Sequence, residues 1–285
     1  MWIGYAVLSA FFAGLTSILA KIGIKNTDSN VATAIRSVVI FIFSCFIVWI
    51  VGSFSTIHEI SGRTLLFLVL SGLSTGASWL CYFKALQKGP INKVVVVDKS
   101  SIVLTFILAI LLLKESFNLL KLGAIIMISL GIFLMVEKKQ GSDKAEKGWL
   151  IYAILSAVFA SLTSLLGKIG IVGVESNLGT TIRTFVVLIM SFVMVGVSGH
   201  GKELKSVDKK ELLFICLSGL STGSSWLCYY KALQQGVVSV VVPIDKLSVL
   251  ITVIFSYFVF KEKLNKKGSL GLLMLLLGTI LIALA

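Results

Sequence analysis

Charged residues, proline and histidine are all scarce in this chain. Asp, Glu, Lys and Arg make up 14% of its 285 residues, and there are two prolines and two histidines. Soluble domains carry about 25% charged residues, so this composition excludes an ordinary soluble protein. The histidines, His58 and His200, fall in predicted loops, and no HExxH motif or nucleophile–base set is visible. The sequence therefore predicts neither an enzyme nor a bound metal or cofactor.

Cysteine is also sparse. The four cysteines, at positions 45, 81, 216 and 228, all lie inside predicted helices and are too scattered for a metal-binding motif. We interpret them as small apolar side chains that fill space between helices.

Apolar residues are abundant instead. They make up 57% of the chain, and the mean hydropathy is +1.01. A helix needs roughly 17–25 apolar residues to cross a bilayer. Ten runs of this kind lie at about 2–20, 33–52, 65–86, 94–113, 119–136, 149–167, 180–197, 212–233, 238–260 and 268–284. The sequence predicts an all-α, multi-pass protein of the cytoplasmic membrane whose first helix is retained as an anchor, since no basic segment precedes it.

Nearly the whole chain is duplicated. SGLSTGASWLCYFKALQKG (71–89) recurs as SGLSTGSSWLCYYKALQQG (218–236), with 16 of 19 positions identical. The same spacing of 147 residues superposes Lys21 on Lys168, and Asp98 on Asp245. We therefore predict a first five-helix repeat at 1–136, a charged linker at 137–148 and a second five-helix repeat at 149–285.

The odd number of helices in each repeat determines their relative orientation. After five crossings the chain is on the other side of the membrane, so the second repeat is expected to insert upside down. Inverted repeats are common in secondary transporters, which bind substrate near the midplane between the halves. We accordingly predict ten transmembrane helices, arranged as two inverted repeats around a central cavity.

The duplicated segment also resembles a known family. The pattern S-G-L-x-T-G-x-S-W-x-x-Y-[FY]-x-A-L in the third helix of each half, with PIDKLSV (243–249) in the ninth helix, is similar to the EamA branch of the drug/metabolite transporter superfamily. The resemblance implies a metabolite transporter but leaves the substrate open. Because Val96 stands where the second half has Pro243, we expect a proline-induced helix break in the second half alone.

Helical periodicity selects candidate residues along a substrate pathway. Side chains at i, i+4 and i+7 share one helix face, which places Thr75, Trp79 and Tyr82 on a single stripe. An aromatic belt at the membrane interface is the alternative interpretation of such a stripe. The same reasoning for the other helices and the second repeat completes the predicted pathway: Ser17, Thr75, Trp79, Tyr82, Ser101, Ser164, Thr222, Trp226, Tyr229 and Ser248.

Charged residues inside predicted helices form a second candidate set. A carboxylate at the membrane centre costs about 2.5–3.5 kcal/mol, so Asp98 and Asp245 are expected to face protein or water. Lys99 should point about 100° away from Asp98 and make no direct contact with it. The complete set, predicted to act in gating or coupling, is Lys21, Arg36, Asp98, Lys99, Lys168, Arg183, Asp245 and Lys246.

The helix order predicts where these charges lie. Lys21, Arg36 and Asp98 should meet near one membrane face, and Lys168, Arg183 and Asp245 near the other. Each trio is either a gate or a structural ion-pair network. Each also has a net charge of +1, which favours a substrate with a carboxylate or phosphate.

The formal charge of the whole chain, +13, does not indicate nucleic acid. Apart from the duplicated helix residues, most basic side chains lie in loops after odd-numbered helices; the exceptions are Arg63, Lys114 and Lys121. Basic loops stay cytoplasmic. This distribution predicts a cytoplasmic linker and external termini, whereas members of the resembled family generally have cytoplasmic termini.

These observations predict a secondary-active transporter that moves a small metabolite by alternating access, with proton coupling through the aspartates as a further hypothesis. A flippase for a lipid-linked or amphipathic substrate is the alternative. The expected partners are a small-molecule substrate and membrane lipids, and the protein is either a monomer or a homodimer.

Overall fold

The computed structural model describes residues 1–24, 26–88, 91–135, 148–261 and 265–285, so the predicted linker lies outside it up to residue 147. This part of the chain forms twelve α-helices and two 3₁₀-helices. The α-helices are α1 (Trp2–Gly23), α2 (Ser29–Val51), α3 (Gly62–Lys88), α4 (Ile91–Lys99), α5 (Ser101–Leu113), α6 (Leu119–Met135), α7 (Trp149–Gly170), α8 (Ser176–Ser198), α9 (Lys209–Gln235), α10 (Val238–Asp245), α11 (Ser248–Phe260) and α12 (Lys266–Leu284). The 3₁₀-helices, Ser53–Glu59 and Gly201–Lys205, follow α2 and α8.

Eight segments are long and apolar enough to cross a membrane. Seven lie within single helices, and the eighth, Val238–Phe255, runs from α10 into α11. The outer surface carries large exposed apolar side chains such as Trp49, Phe133 and Val197. An apolar surface of this extent is stable in lipid rather than water, so the chain is a multi-pass membrane protein.

Each half contains a helix that is interrupted next to its aspartate. α4 ends at Lys99 before α5 begins, and α10 ends at Asp245 before α11 begins. In both interruptions a backbone N–H donates to the carbonyl three residues earlier, from Ser100 to Val97 (3.1 Å) and from Lys246 to Pro243 (3.0 Å). The expectation of a break in the second half alone is wrong, because this tighter turn forms in the first half without a proline.

The two halves interleave. α3 packs along α7, and α1 packs along α9. Serines connect the equivalent pairs: Ser78 Oγ donates to the Ser156 carbonyl (3.1 Å), and Ser225 Oγ donates to the Ser9 carbonyl (3.0 Å). These small side chains let the helices approach closely.

The contacts also fix helix directions. The segment after α1 meets the first turn of α9, where Asn26 Nδ2 donates to Glu211 Oε1 (3.0 Å). The last turn of α7 meets the opposite end of α9, where Lys168 Nζ donates to the Leu233 carbonyl. The equivalent helices α1 and α7 therefore run in opposite directions.

Glycines bring α6 and α12 together. A Cβ atom built on Gly131 would lie 2.6 Å from the carbonyl oxygen of Gly271. Ordinary Cβ contacts start at about 3.4 Å, so neither position has room for a side chain. These glycines therefore pack against each other within the chain.

α2 and α8 carry Arg36 and Arg183 and begin at equivalent acidic caps. Asp28 accepts from the Asn30 backbone N–H (2.9 Å), and Glu175 accepts from that of Leu178 (3.0 Å). These caps satisfy N–H groups that lack an intrahelical partner. Each arginine follows about two turns later.

Candidate functional site

A cavity of about 350 Å³ lies between the two halves. Seven helices, α1, α2, α3, α7, α8, α9 and α10, contribute to its wall. The lining residues are Ala13, Thr16, Arg36, Thr75, Trp79, Thr163, Ser164, Arg183, Thr222, Ser225, Trp226, Tyr229, Tyr230 and Asp245. Nearly all of them are polar or aromatic, so this cavity suits an occupant with polar groups.

The lining is itself duplicated. Four pairs separated by 147 residues face the cavity together: Thr16 with Thr163, Arg36 with Arg183, Thr75 with Thr222, and Trp79 with Trp226. The threonine hydroxyls also meet across the halves, Thr75 with Thr163 at 3.3 Å and Thr222 with Thr16 at 3.2 Å. The two repeats thus contribute equivalent chemistry to one site.

Arg183 is the most constrained residue of the lining. Its side chain is 2% exposed. Nε donates to Ser71 Oγ (3.0 Å) and Nη2 donates to Thr75 Oγ1. The guanidinium carbon lies 5.0 Å from the ring centre of Trp226 and 4.5 Å from that of Tyr230, within the range of cation–π attraction. Its Nη1 atom is buried and has no hydrogen-bond partner among the described residues.

Arg36 differs from its equivalent. It is half-buried, and none of the described residues forms a hydrogen bond or ion pair with its side chain. The equivalent hydroxyls do not bind Arg36: Ser218 Oγ donates to the Ile215 carbonyl instead (2.7 Å), and Thr222 Oγ1 keeps only the type of bond to the carbonyl four residues earlier that Thr75 also makes, together with its contact to Thr16. The two arginines share a cavity but not a set of contacts.

The aspartates bind serines of the opposite half. Ser156 Oγ donates to Asp98 Oδ1 (2.7 Å), and Ser9 Oγ donates to Asp245 Oδ1 (2.9 Å). The predicted pairing of each aspartate with an arginine or with the lysine near the end of the first helix does not occur among the described contacts. The reason is that α1 and α7 bring a serine to each carboxylate at the helix interruption.

The neighbouring lysines do contact the aspartates. Lys99 Nζ lies 3.8 Å from Asp98 Oδ2, and Lys246 Nζ lies 4.0 Å from Asp245 Oδ2. The expectation that Lys99 points away from Asp98 is wrong, because the regular helix ends at this lysine and the 100° spacing no longer applies.

The prediction of two charged clusters near opposite membrane faces is wrong. Arg36 and Arg183 line the same cavity. α10 also packs against α5, so the two interrupted helices lie beside each other. The prediction failed because it placed each charge by its distance from a predicted helix end, whereas α2 and α8 begin about one turn earlier than predicted and hold Arg36 and Arg183 about two turns inside.

Polar contacts tie the helices together at one end of the bundle. Lys168 Nζ donates to the carbonyls of Leu233 and Gly236 (2.7 Å to the latter). The Glu115 carboxylate accepts from the backbone N–H groups of Val238 (2.6 Å) and Ser239 (3.0 Å) at the start of α10. A carboxylate is stabilised at a helix N-terminus. We call Lys168, Glu115 and Gln234 the Lys168 cluster.

Gln234 completes this cluster. Its Nε2 donates to the carbonyls of Ile171 (2.8 Å) and Val174 (2.7 Å), so the end of α9 is fastened to the segment after α7. A second cavity of about 530 Å³, lined in part by Arg63, Glu115 and Lys168, lies beside the cluster.

The other end of the bundle is more accessible at equivalent positions. Ser17 is exposed, whereas its equivalent Ser164 is 8% exposed and its hydroxyl lies 2.9 Å from that of Tyr229. Lys21 is likewise exposed, whereas Lys168 is half-buried. Equivalent positions at the two ends of the bundle therefore differ in exposure.

The structure brings part of the predicted set into the cavity. Six predicted pathway residues line it: Thr75, Trp79, Ser164, Thr222, Trp226 and Tyr229. Ser17 faces outward, Tyr82 packs near the apolar residues Ala85 and Val94, and Ser101 and Ser248 begin α5 and α11. Of the predicted charges, Arg36, Arg183 and Asp245 line the cavity; Lys21, Asp98, Lys99, Lys168 and Lys246 lie outside its lining.

Sequence reasoning missed several lining residues, among them Thr16, Thr163, Ser225 and Tyr230. Thr16 and Thr163 are a duplicated pair one residue from the serines that we selected, so the repeat contained the signal. Tyr230 has no duplicated counterpart, since phenylalanine occupies position 83. Nothing in the repeat singles it out.

One motif needs its structural context. Residues 72–76, GLSTG, and their repeat at 219–223 match the G-x-S-x-G pattern of hydrolase nucleophiles. That motif requires a sharp strand-to-helix turn. Here both copies lie in the middle of α3 and α9. They therefore act as small residues for helix contact, as Ser221 Oγ does when it donates to the Phe12 carbonyl (2.8 Å).

Fold and site together define a polytopic helical membrane protein with a polar central cavity. The model of the EamA-like transporter family matches residues 1–137 and again residues 147–284. The chain belongs to this family.

Individual proteins are also similar to this chain. An uncharacterised transporter of the cobO 3′ region from Sinorhizobium sp is 46% identical over 137 residues, which are 48% of this chain and 97% of that protein. An uncharacterised protein of Methanocaldococcus jannaschii is 30% identical over 84 residues, 30% of this chain and 61% of that protein. The protein in one solved crystal structure superposes with a TM-score of 0.81 over 99% of this chain and 97% of its own, at 13% identity, a likeness of fold alone.

Proposed function

We propose that this transporter is a secondary-active carrier that moves a small metabolite across the cytoplasmic membrane through the central cavity by alternating access. The observation that carries the proposal is the cavity itself, which takes equivalent polar residues from both halves, while equivalent positions at the two ends of the bundle differ in exposure. A carrier needs a site that is reached from one side at a time.

We propose ten transmembrane spans arranged as two inverted repeats. In this arrangement α4 with α5, and α10 with α11, are each one interrupted span, and α6 is the fifth. The opposite directions of α1 and α7 support an inverted relation. Interrupted helices beside a binding site are also a recurrent feature of transporters with inverted repeats.

The Lys168 cluster is the proposed barrier on the closed side. It joins α7, α9 and α10 with Glu115, which follows α5. The sequence repeats its two charged residues as Lys21 and Glu262, the latter outside the described residues. Alternating access predicts that this second pair forms the barrier at the other end when the Lys168 cluster opens.

Asp245 is the proposed coupling residue, since it is the aspartate of the cavity lining. It accepts a hydrogen bond from Ser9 in the opposite half. Protonation would weaken this bond between the halves and so link a proton to the opening of the cavity.

The test is isotope exchange in proteoliposomes. Vesicles with purified protein are loaded with a defined mixture of unlabelled metabolites and diluted into the same mixture in ¹³C-labelled form, and the lumen is analysed by mass spectrometry. We expect at least one labelled compound to enter by exchange, with protein-free vesicles as the control. Scrambling of a fluorescent lipid without any metabolite exchange would instead identify a flippase. If neither activity is observed, the protein is not a carrier of the tested compounds.

A further inference from the structure

We propose that the cavity binds an organic monocarboxylate and that Arg183 is the residue that pairs with its carboxylate. This inference rests on the proposed function, because it takes the central cavity as the substrate site. It extends the proposed function by naming the charge of the substrate and the residue that selects for this charge.

The charge of Arg183 is not neutralised within the described residues. No carboxylate oxygen of these residues lies within 4.0 Å of its guanidinium nitrogens, and its hydrogen bonds go to the neutral hydroxyls of Ser71 and Thr75. Asp245 is bonded to Ser9 and lies beside Lys246 instead. A buried charge is stable only when it is paired or well hydrogen-bonded, so an anionic ligand would supply what the protein omits.

The surroundings of Arg183 restrict how an anion can approach. The guanidinium carbon lies over the rings of Trp226 and Tyr230, and Nε and Nη2 already donate to hydroxyls. The donor without a partner is the buried Nη1. A group that reaches it in the plane of the guanidinium fits best, and this is the preferred geometry of a carboxylate.

The other cavity charges indicate a monoanion. Among the lining residues, Arg36 and Arg183 contribute two positive charges and Asp245 contributes one negative charge, and Lys246 beside Asp245 lies outside the lining. The net charge of the lining is therefore +1, which matches one carboxylate, whereas a phosphate group carries about −1.5 to −2 at pH 7. Trp79 and Ala13 in the same wall offer an apolar surface to the rest of such a molecule.

A charge-matched ligand series tests the inference without transport. The probes are para-substituted benzoates and the corresponding benzamides and benzylamines, which have the same ring but a negative, neutral or positive group. Binding to purified full-length protein is measured as a ligand-dependent rise in melting temperature and as a Kd. We expect benzoates to stabilise the protein and the amides and amines to have little effect.

Substitutions then assign the effect to one residue. Arg183→Gln should weaken benzoate binding by about 10–100-fold, as the loss of a charge-assisted hydrogen bond implies. Arg183→Lys keeps the charge but loses the planar donors, and we expect it to weaken binding as well. Arg63→Gln is the matched control, because Arg63 is exposed, stacks on Phe67 (5.9 Å) and does not line this cavity.

Three results would overturn the inference: no benzoate stabilises the wild-type protein, amides or amines stabilise it equally, or a folded Arg183 variant binds benzoate with wild-type affinity. If Arg183→Gln does not fold, the inference is tested by two other measurements: the charge selectivity of the wild-type protein and the benzoate affinity of Arg183→Lys. Failure of the proposed function has a different signature: benzoates bind through Arg183, yet no compound crosses the membrane. If a neutral metabolite is exchanged, and Arg183→Lys exchanges it at the same rate as the wild type, this inference is wrong. The proposal that the protein is a carrier would still hold.

Discussion

At the scale of single residues, two arginines with equivalent positions in the sequence have different surroundings. Arg183 is enclosed by Ser71, Thr75 and Trp226, whereas Arg36 is half-buried in the lining of the same cavity. The repeat supplies Arg36 with the same residue types, Ser218, Thr222 and Trp79. We infer that the two arginines exchange these arrangements when the cavity opens to the other side.

The aspartates permit a matched test of coupling. Asp245→Asn removes a charge from the cavity but keeps an oxygen that accepts from Ser9, so we expect substrate binding to persist. Uptake against a gradient, driven by an imposed pH difference in proteoliposomes, should fall by about tenfold or more, a change of about 1.4 kcal/mol.

Asp98→Asn is the control for this experiment, because Asp98 has the equivalent bond to Ser156 but does not line the cavity. We expect a smaller loss there. A wild-type rate and pH dependence in Asp245→Asn would mean that Asp245 only stabilises the contact between the halves.

At the scale of helices, close packing between α6 and α12 makes a direct prediction. Gly131→Ala places a Cβ atom against backbone of α12, so the helices must separate. We expect destabilisation by about 1–3 kcal/mol, seen as a lower melting temperature of the purified protein.

Gly123→Ala is the control within α6, because nothing lies within 4 Å of its added Cβ atom. It should be neutral or slightly stabilising, since alanine is favoured over glycine in helices. Equal melting temperatures for the two variants would contradict this packing.

Hydropathy predicted where the long helices run but not where they are interrupted. The apolar pattern continues across positions 94–113, and Ser100 is an ordinary residue in it. Its hydroxyl donates to the Val97 carbonyl (2.6 Å), and Asp98 next to it is held by Ser156, which is 58 residues away in the chain. Because these contacts are tertiary, periodicity could not reveal them. The predicted positions of the arginines were wrong for a different reason, because α2 and α8 begin about one turn before their apolar runs.

At the scale of the whole molecule, the repeat predicted which residue types meet in the cavity. Trp79 with Trp226 and Thr75 with Thr222 were selected by their spacing of 147 residues and do line it together. The repeat could not reveal which end is closed, because two nearly identical halves support either state equally. That difference appears only in contacts such as those of the Lys168 cluster.

The orientation of the molecule in the membrane is predicted by its loop charges. A cysteine at Ser142→Cys, in a background without the four native cysteines, should resist a membrane-impermeant thiol reagent in intact cells and react after the cells are permeabilised. The reason is that basic loops stay cytoplasmic. Rapid labelling of intact cells would show the reverse orientation, with cytoplasmic termini.

The proposal that the Lys168 cluster closes one end of the cavity can be tested through its member Glu115, whose carboxylate binds the start of α10. Glu115→Gln keeps the shape of the side chain but removes the charge that stabilises the N–H groups of Val238 and Ser239. A charge-assisted hydrogen bond is worth about 1.5–3 kcal/mol, so the open population should rise by about tenfold or more. The reporter is Ala13→Cys in the cavity wall, in a background without native cysteines, labelled from each face in sealed vesicles of known orientation.

Without the Glu115 substitution, we expect this reporter to react mainly from the face of Ser17 and Lys21, because those positions are exposed. Glu115→Gln should add labelling from the opposite face, where the Lys168 cluster lies. Glu203→Gln is the control, since Glu203 pairs with His200 (2.7 Å) in an exposed 3₁₀-helix outside the cluster. Unchanged labelling from both faces in Glu115→Gln would mean that the cluster fastens the helices without acting as a barrier, and that another contact closes the cavity at this end.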